Sequence, residues 1–170
     1  DNQLRFVLGA ETNAEGGYLG VRYATLPTPD TELLFSGTFR TATDYVDGEG
    51  NVIPGSEFDA ASVLVSFVRN LGNGGRLTAS YEAWNSDLDD TQYEQTSSSP
   101  AFGTVDRRTF DQTLTVGYES AEAYGDLDVT FAYSNTDVEQ RDPSQRGAFG
   151  GSVLFEVSDY GYRTVSLDGR

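Results

Sequence analysis

The chain has 170 residues, 37% of them hydrophobic, and a formal net charge of -16 from 27 acidic and 11 basic residues, the size of one domain or of part of a larger one. His, Cys and Met are absent and every basic residue is Arg, which excludes His- and Cys-based nucleophile systems, zinc sites of the usual kind, disulfides, phosphate-loop lysines and Schiff-base chemistry. The acidic balance also excludes nucleic acid as a partner, because phosphate contacts need a basic patch.

The missing Met points to a chain that is processed or is a piece of a longer one. No signal peptide is recognisable, and no apolar run is long enough for a spanning helix. Mean hydropathy is -0.44. That value does not exclude a membrane barrel, in which only alternate residues of each strand need be apolar.

In chain order, candidate strands fall at residues 3–12, 18–26, 31–43, 58–70, 76–86, 107–119, 126–138, 148–158 and 161–168, with no convincing helix between them. The run "GDLDVTFAYSNTDVEQ" states the pattern. Leu127, Val129, Phe131 and Tyr133 share one parity, and Asp128, Thr130, Ala132 and Ser134 the other. Period two marks a strand with two unlike faces. Leu33, Phe35 and Phe39 oppose Ser36, Thr38 and Arg40, and Leu77, Ala79, Tyr81 and Ala83 oppose Thr78, Ser80 and Glu82. Gln112 interrupts the apolar parity of its strand.

Connections alternate in length. "PTPD", "LGNGG", "SAEAYG" and "DYG" are tight, whereas "DYVDGEGNVIPGSE", "DLDDTQYEQTSSSPAFGTVD" and "EQRDPSQRG" are long. Short turns on one side and long loops on the other are the habit of outer-membrane barrels, whose tilted strands need roughly 9–11 residues to cross. Tyr18, Tyr45, Tyr118, Tyr124, Tyr160 and Tyr162 sit near strand ends or turns, where interfacial aromatic girdles lie. The expected fold is all-β: an antiparallel up-and-down transmembrane β-barrel of eight or nine strands. Residues 1–170 would form one barrel segment, with no plug domain. Bacterial single-chain barrels have even strand numbers. A count of nine therefore means one strand too many in a small barrel, or a segment of a larger one.

The runs "RRTFDQTLTVGYESAEAYGDLDVTFAYSNTDVEQRD" and "FGGSVLFEVSDYGYRTVSLDGR" resemble the early barrel strands of TonB-dependent outer-membrane transporters. The likeness extends over about residues 58–170 and rests on loose strand–turn–strand patterns; the family's plug and energy-coupling box are not recognisable. The resemblance implies a bacterial outer-membrane location and uptake of an iron chelate such as a ferric siderophore, or of haem, cobalamin or a glycan. It also implies coupling to an inner-membrane energy-transducing protein through a plug outside this chain.

Candidate sites are few. Arg40, Arg69, Glu82 and Trp84 are candidate lumen-facing residues, with Arg107 and Arg108 extending an arginine ladder that would attract an anionic solute; pairing of these Arg with neighbouring acids is the plainer alternative. Asp44, Asp47 and Glu49 in "DYVDGEGN", and Asp89 and Asp90 in "DLDDTQYEQ", are candidate Ca²⁺ ligands, although the full EF-hand pattern is missing. Loop carboxylates also suit the divalent ions that bridge lipopolysaccharide. No catalytic residue is assigned, and the chain is read as a non-enzyme. Two rivals stand beside the transporter: a closed eight-stranded structural or adhesion barrel, and a soluble, extracellular, acidic β-sandwich binding Ca²⁺.

Overall fold

The computed structural model describes residues 2–72, 74–92, 104–122, 125–141 and 157–169. They form an all-β structure built on one antiparallel sheet. Its strands are β1 (Gln3–Glu11), β2 (Gly16–Thr28), β3 (Thr31–Ala42), β6 (Phe58–Asn70), β7 (Gly75–Gln92), β8 (Thr104–Glu122), β9 (Gly125–Arg141) and β10 (Val157–Gly169). A small hairpin, β4 (Tyr45–Val46) with β5 (Val52–Ile53), sits in the β3–β6 connection. The eight strands of the sheet follow one another in chain order, so every neighbour is a sequence neighbour and the sheet is an up-and-down meander. Among the described residues β1 pairs only with β2, and β10 only with β9.

The connections sort by side. Asn70 N–H donates to Asp30 O at 2.8 Å, joining the β2–β3 turn to the end of β6. Thr43 N–H donates to Ala14 O at 2.8 Å, joining the β1–β2 turn to the start of the β3–β6 loop at the opposite end. The β2–β3, β6–β7 and β8–β9 turns therefore gather on one side. The short β1–β2 turn and the ends of β3, β7 and β9 that lead into the longer connections lie on the other.

Local chemistry explains the irregularities. The β2–β3 register shifts between Thr25 and Thr28, where Pro27 has no N–H to give the ladder. At Gly9 a Cβ would run into the Tyr18 ring. The ring lies across the bare backbone, a cross-strand use of glycine that covers a weak point in the sheet.

Two expectations change. Residues 157–169 are one strand, not a strand end and a turn: Gly161 sits in register with Asp137, inside the ladder. The expected "DYG" turn is therefore absent, and the rest of the candidate strand at 148–158 lies outside the described residues. The stretch 87–92, expected as loop, belongs to β7, because Asp87 pairs across to Arg108 and Leu88 to Arg107. A cross-strand acid–Arg pair extends the ladder where the apolar alternation has stopped.

The sheet is a single layer. Among the described residues only Ala14, Ala42 and Ala83 are buried apolar side chains, while Leu127 is 47% and Phe131 38% exposed. A sandwich would pack these residues against a second sheet about 10 Å away, and no such sheet faces them among the described residues.

Candidate functional site

Residues opposite each other in an antiparallel ladder share a face, so the register assigns every side chain. One face carries Leu4, Phe6 and Leu8 of β1, Leu19, Val21 and Tyr23 of β2, and Leu33, Phe35 and Phe39 of β3. It continues through Val63, Val65 and Phe67 of β6, Leu77, Ala79 and Tyr81 of β7, and Leu114, Val116 and Tyr118 of β8. Leu127, Val129, Phe131 and Tyr133 of β9, then Val165 and Leu167 of β10, complete it. These side chains form one unbroken apolar belt.

The belt runs obliquely to the hydrogen-bond rows. The row through Leu4 passes Tyr23, Phe35, Val65, Tyr81 and Leu114 to Tyr133. Leu4 opens the apolar run of β1, yet Tyr133 closes that of β9. Phe6, mid-run in β1, is level with Asn135 of β9, whereas the middle of the β9 run is Thr130. The belt thus slides by about five residues over six strand-to-strand steps, or about 2.8 Å of rise for about 4.8 Å of spacing, which is a slope of about 30°.

Polar groups on this face lie at or beyond the belt's edges. Above it on β8–β10, Arg163 Nε donates to Asn135 Oδ1 at 3.1 Å and Asn135 Nδ2 to Asp137 Oδ2 at 2.7 Å. Arg108 Nε donates to Asp87 Oδ1 at 2.7 Å. Gln112, the one break in the alternation of β8, accepts from the Tyr81 hydroxyl at 3.1 Å, so its polarity is partly met within the belt.

The opposite face is rich in hydroxyls: Ser36, Thr38, Ser62, Ser66, Thr78, Ser80, Thr113, Thr115, Thr130, Ser134, Thr164 and Ser166. Several bond across strands, Thr38 with Ser62 at 2.6 Å and Thr113 with Ser134 at 3.3 Å. Its apolar interruptions are a small patch of Leu34, Leu64 and Val68, and Val7, Phe58, Trp84 and Leu88 towards the long-loop end.

The predicted lumen-facing residues divide. Arg40, Glu82, Trp84 and Arg107 lie on the hydroxyl face. Arg69 and Arg108 do not. Arg69 is in register with Leu77 on the apolar face, just past Phe67 at the tight-turn edge of the belt, and Arg108 stands above the belt at the other end. No arginine ladder forms on one face. Arg40 is paired, its Nε donating to Glu11 Oε1 at 3.0 Å, with its guanidinium 4.9 Å above the Phe58 ring. Glu11, 29 positions away, gave no sequence signal as a partner.

The candidate Ca²⁺ loop uses its acids differently. Asp47 Oδ1 accepts from the N–H groups of Glu49 and Asn51, both at 2.8 Å, and Oδ2 from Asn51 Nδ2 at 3.0 Å. Gly50, at φ +91°, makes the turn possible. Asp44 Oδ1 accepts from the N–H of Ser56 at 2.9 Å and of Glu57 at 3.1 Å. Asp44 and Asp47 thus act as backbone caps, and no group of three acidic side chains converges as a metal cage among the described residues. Asn51's side-chain amide, then its backbone N–H, hold the Asp47 carboxyl below its ordinary value. Asp89 and Asp90 fall in β7 at its register shift between Leu88 and Thr91; the side chain of Asp90 lies outside the described residues.

The expected aromatic girdle is placed in part. Tyr118 sits at the tight-turn edge of the belt, but Tyr18 and Tyr162 lie on the hydroxyl face and Tyr45 is in the β4–β5 hairpin. Tyr124 and the side chain of Tyr160 lie outside the described residues. Tyr23 and Phe67 at the lower edge, and Phe39 and Tyr133 at the upper, supply edge aromatics that strand-end counting did not pick out.

No family model, curated protein or solved structure matches this chain.

Proposed function

We propose that this chain is a length of wall in a transmembrane outer-membrane β-barrel, with its apolar belt against lipid hydrocarbon and its hydroxyl face against a watery lumen. The oblique, unbroken belt on a single-layer sheet carries the reading. In water such a belt would be a large exposed apolar patch; in a bilayer it meets its own kind. The slope of about 30° is close to the tilt of membrane-barrel strands, about 35–45° from the barrel axis. A belt level with the membrane must cross tilted strands at such an angle. The long loops leave from the side on which β7, β8 and β9 overrun the belt, at 18, 19 and 17 residues against the roughly 9–11 needed to cross. That side is the outer one.

The resemblance to TonB-dependent transporters supplies the use. The chain walls a pore taking up an iron chelate or similar solute, with a plug and an inner-membrane energy-coupling partner supplied elsewhere, and lipopolysaccharide around its outer rim. The edges of β1 and β10, unpaired outward among the described residues, favour a wall continued by further strands over an eight-stranded barrel closed on itself, since an open edge in hydrocarbon leaves backbone groups unmet.

The test is folding in detergent micelles followed by gel migration with and without heating. A membrane wall requires detergent and shifts on heating. A chain that stays monodisperse in plain buffer, with no heat-dependent shift, ends this reading.

A further inference from the structure

We infer that the edge of the belt beside the β2–β3, β6–β7 and β8–β9 turns holds a site for the phosphate of a phospholipid headgroup, made by Arg69 with the hydroxyls of Thr31 and Tyr118. This rests on the membrane reading above and adds to it a specific lipid contact on the outward face.

The donors share one hydrogen-bond row on the apolar face. Thr31 is in register with Arg69, Arg69 with Leu77, and Leu77 with Tyr118. Arg69 is exposed. Neither it nor the Tyr118 hydroxyl has a hydrogen-bond or ion-pair partner among the described residues. Thr31 Oγ1 accepts from the Thr28 hydroxyl at 2.9 Å, which leaves its own proton to give. Arg69 and Tyr118 stand two strand spacings apart, about 9.6 Å, with Leu77 between them. The row has hydrogens to give and no carboxylate to take them.

The second observation is the partition of charge, and it is independent. Glu32, Glu119, Asp128 and Asp168, acids of this end of the sheet, all lie on the hydroxyl face. Asp30, in the β2–β3 turn, makes no ion pair with Arg69. Arg76 also lies on the hydroxyl face, 3.9 Å from Glu119. Arg69 is thus the charged strand residue on the apolar face at this end, among the described residues. At the long-loop end of the same face Asp59, Asp87, Asp137 and Glu139 outnumber Arg108 and Arg163. A chain of net charge -16 therefore keeps its acids off one edge of the belt only.

Position selects the ligand. Phe67 and Tyr118 mark that edge with aromatic rings, as happens where hydrocarbon gives way to headgroups. An arginine at this level lays its stem along apolar surface and extends its head to the phosphates. The guanidinium fork matches two phosphate oxygens at once. A solute in the lumen does not meet Arg69, which is on the opposite face from Arg40. A headgroup amine finds no carboxylate in this row, so the site reads the phosphate and favours a lipid of net negative charge.

The experiment folds the ¹⁵N-labelled chain in dodecylmaltoside micelles and titrates it with dihexanoylphosphatidylglycerol, with dihexanoylglycerol, which lacks the phosphate, and with inorganic phosphate. The Arg69 Nε–H and Leu77 amide resonances are followed. The phospholipid is expected to give a saturable shift of both, the diacylglycerol none, and inorganic phosphate at least about ten-fold weaker binding, since it lacks the acyl chains that hold the headgroup at the belt's edge. Arg69→Gln, read at the Leu77 amide, should bind the phospholipid at least about ten-fold more weakly, the loss of a charge-assisted hydrogen bond. Arg69→Lys, which keeps the charge but not the fork, should fall between. Arg76→Gln, on the other face, should bind as the unaltered chain does. No shift with the phospholipid, an equal shift with the diacylglycerol, inorganic phosphate bound as tightly as the lipid, or unaltered affinity in Arg69→Gln would each overturn the site. Loss of heat-dependent migration in the unaltered chain strikes at the membrane reading instead; retained migration with no phospholipid response removes the site alone.

Discussion

The two faces of β9 share a backbone, a ladder and a set of neighbours, yet they differ in everything else. Val129, Phe131 and Tyr133 continue a belt that crosses all eight strands, whereas Ala132 and Ser134 look onto hydroxyls of β8 and β10, and Thr130 sits between Gly117 and Asp168. Neither face is covered by a second layer among the described residues, and Phe131 stays 38% exposed. A soluble protein hides its apolar face inside; in the membrane reading proposed above, lipid hydrocarbon does the hiding, against one face only.

The largest effect that sharpens this contrast comes from a charge placed on each face in turn. Phe131→Arg is expected to destabilise the chain folded in lipid vesicles by about 2–4 kcal/mol, the cost of a cation at mid-bilayer depth. Ala132→Arg, one residue on, should cost less than about 1 kcal/mol. Urea unfolding from vesicles compares them, and equal costs would erase the distinction between the faces.

A smaller effect concerns the hydrogen bond between Tyr81 and Gln112 at the belt's edge. Gln112 accepts from Tyr81, so Gln112→Leu alone leaves a phenol unpaired. With Tyr81→Phe added, both polar ends are gone. The double variant is expected to be more stable than Gln112→Leu by about 1 kcal/mol, read as a coupling in a double-mutant cycle.

Outside the belt the effects become local. Asp47→Ala should abolish exchange protection of the Glu49 and Asn51 amides, which Asp47 Oδ1 holds, without moving global unfolding. The carboxyl's folded pKa lies below its ordinary 3.8, so its contribution is complete above that value. It is lost as pH falls through the lower folded value, where amide exchange should show the loop releasing. Smallest of all is Arg108→Ala, which removes an exposed ion pair to Asp87 and should leave the unfolding midpoint unmoved.

The period-two alternation made the strands legible, because each face meets one kind of neighbour along its length. "LDVTFAY" and "LTASYEA" assigned their faces correctly on that basis alone. Arg69 shares a face with Leu77 rather than with Arg40, with little warning in the sequence because β6 is apolar on both parities, with Leu64 and Val68 behind Val63 and Val65. The "DYG" stretch read as a turn because composition cannot distinguish a glycine in a bend from one facing Asp137 in a ladder. Spacing alone does not separate the two uses of the acids at 44–49, since a carboxylate that caps backbone N–H groups, as Asp44 and Asp47 do, has the same spacing as one that coordinates. The slope of the belt was out of reach altogether: it exists only in the register between strands, which no single stretch of sequence encodes.

Lipid-face placement is tested most directly by fluorescence quenching from brominated acyl chains. In a Trp84→Phe background, a single Trp is placed at Phe131 or at Ala132 and the chain is folded into vesicles of brominated lipid. The account predicts strong quenching for Phe131→Trp and little for Ala132→Trp, which should instead respond to an aqueous quencher. Comparable lipid quenching at both positions, or none at position 131, would contradict it.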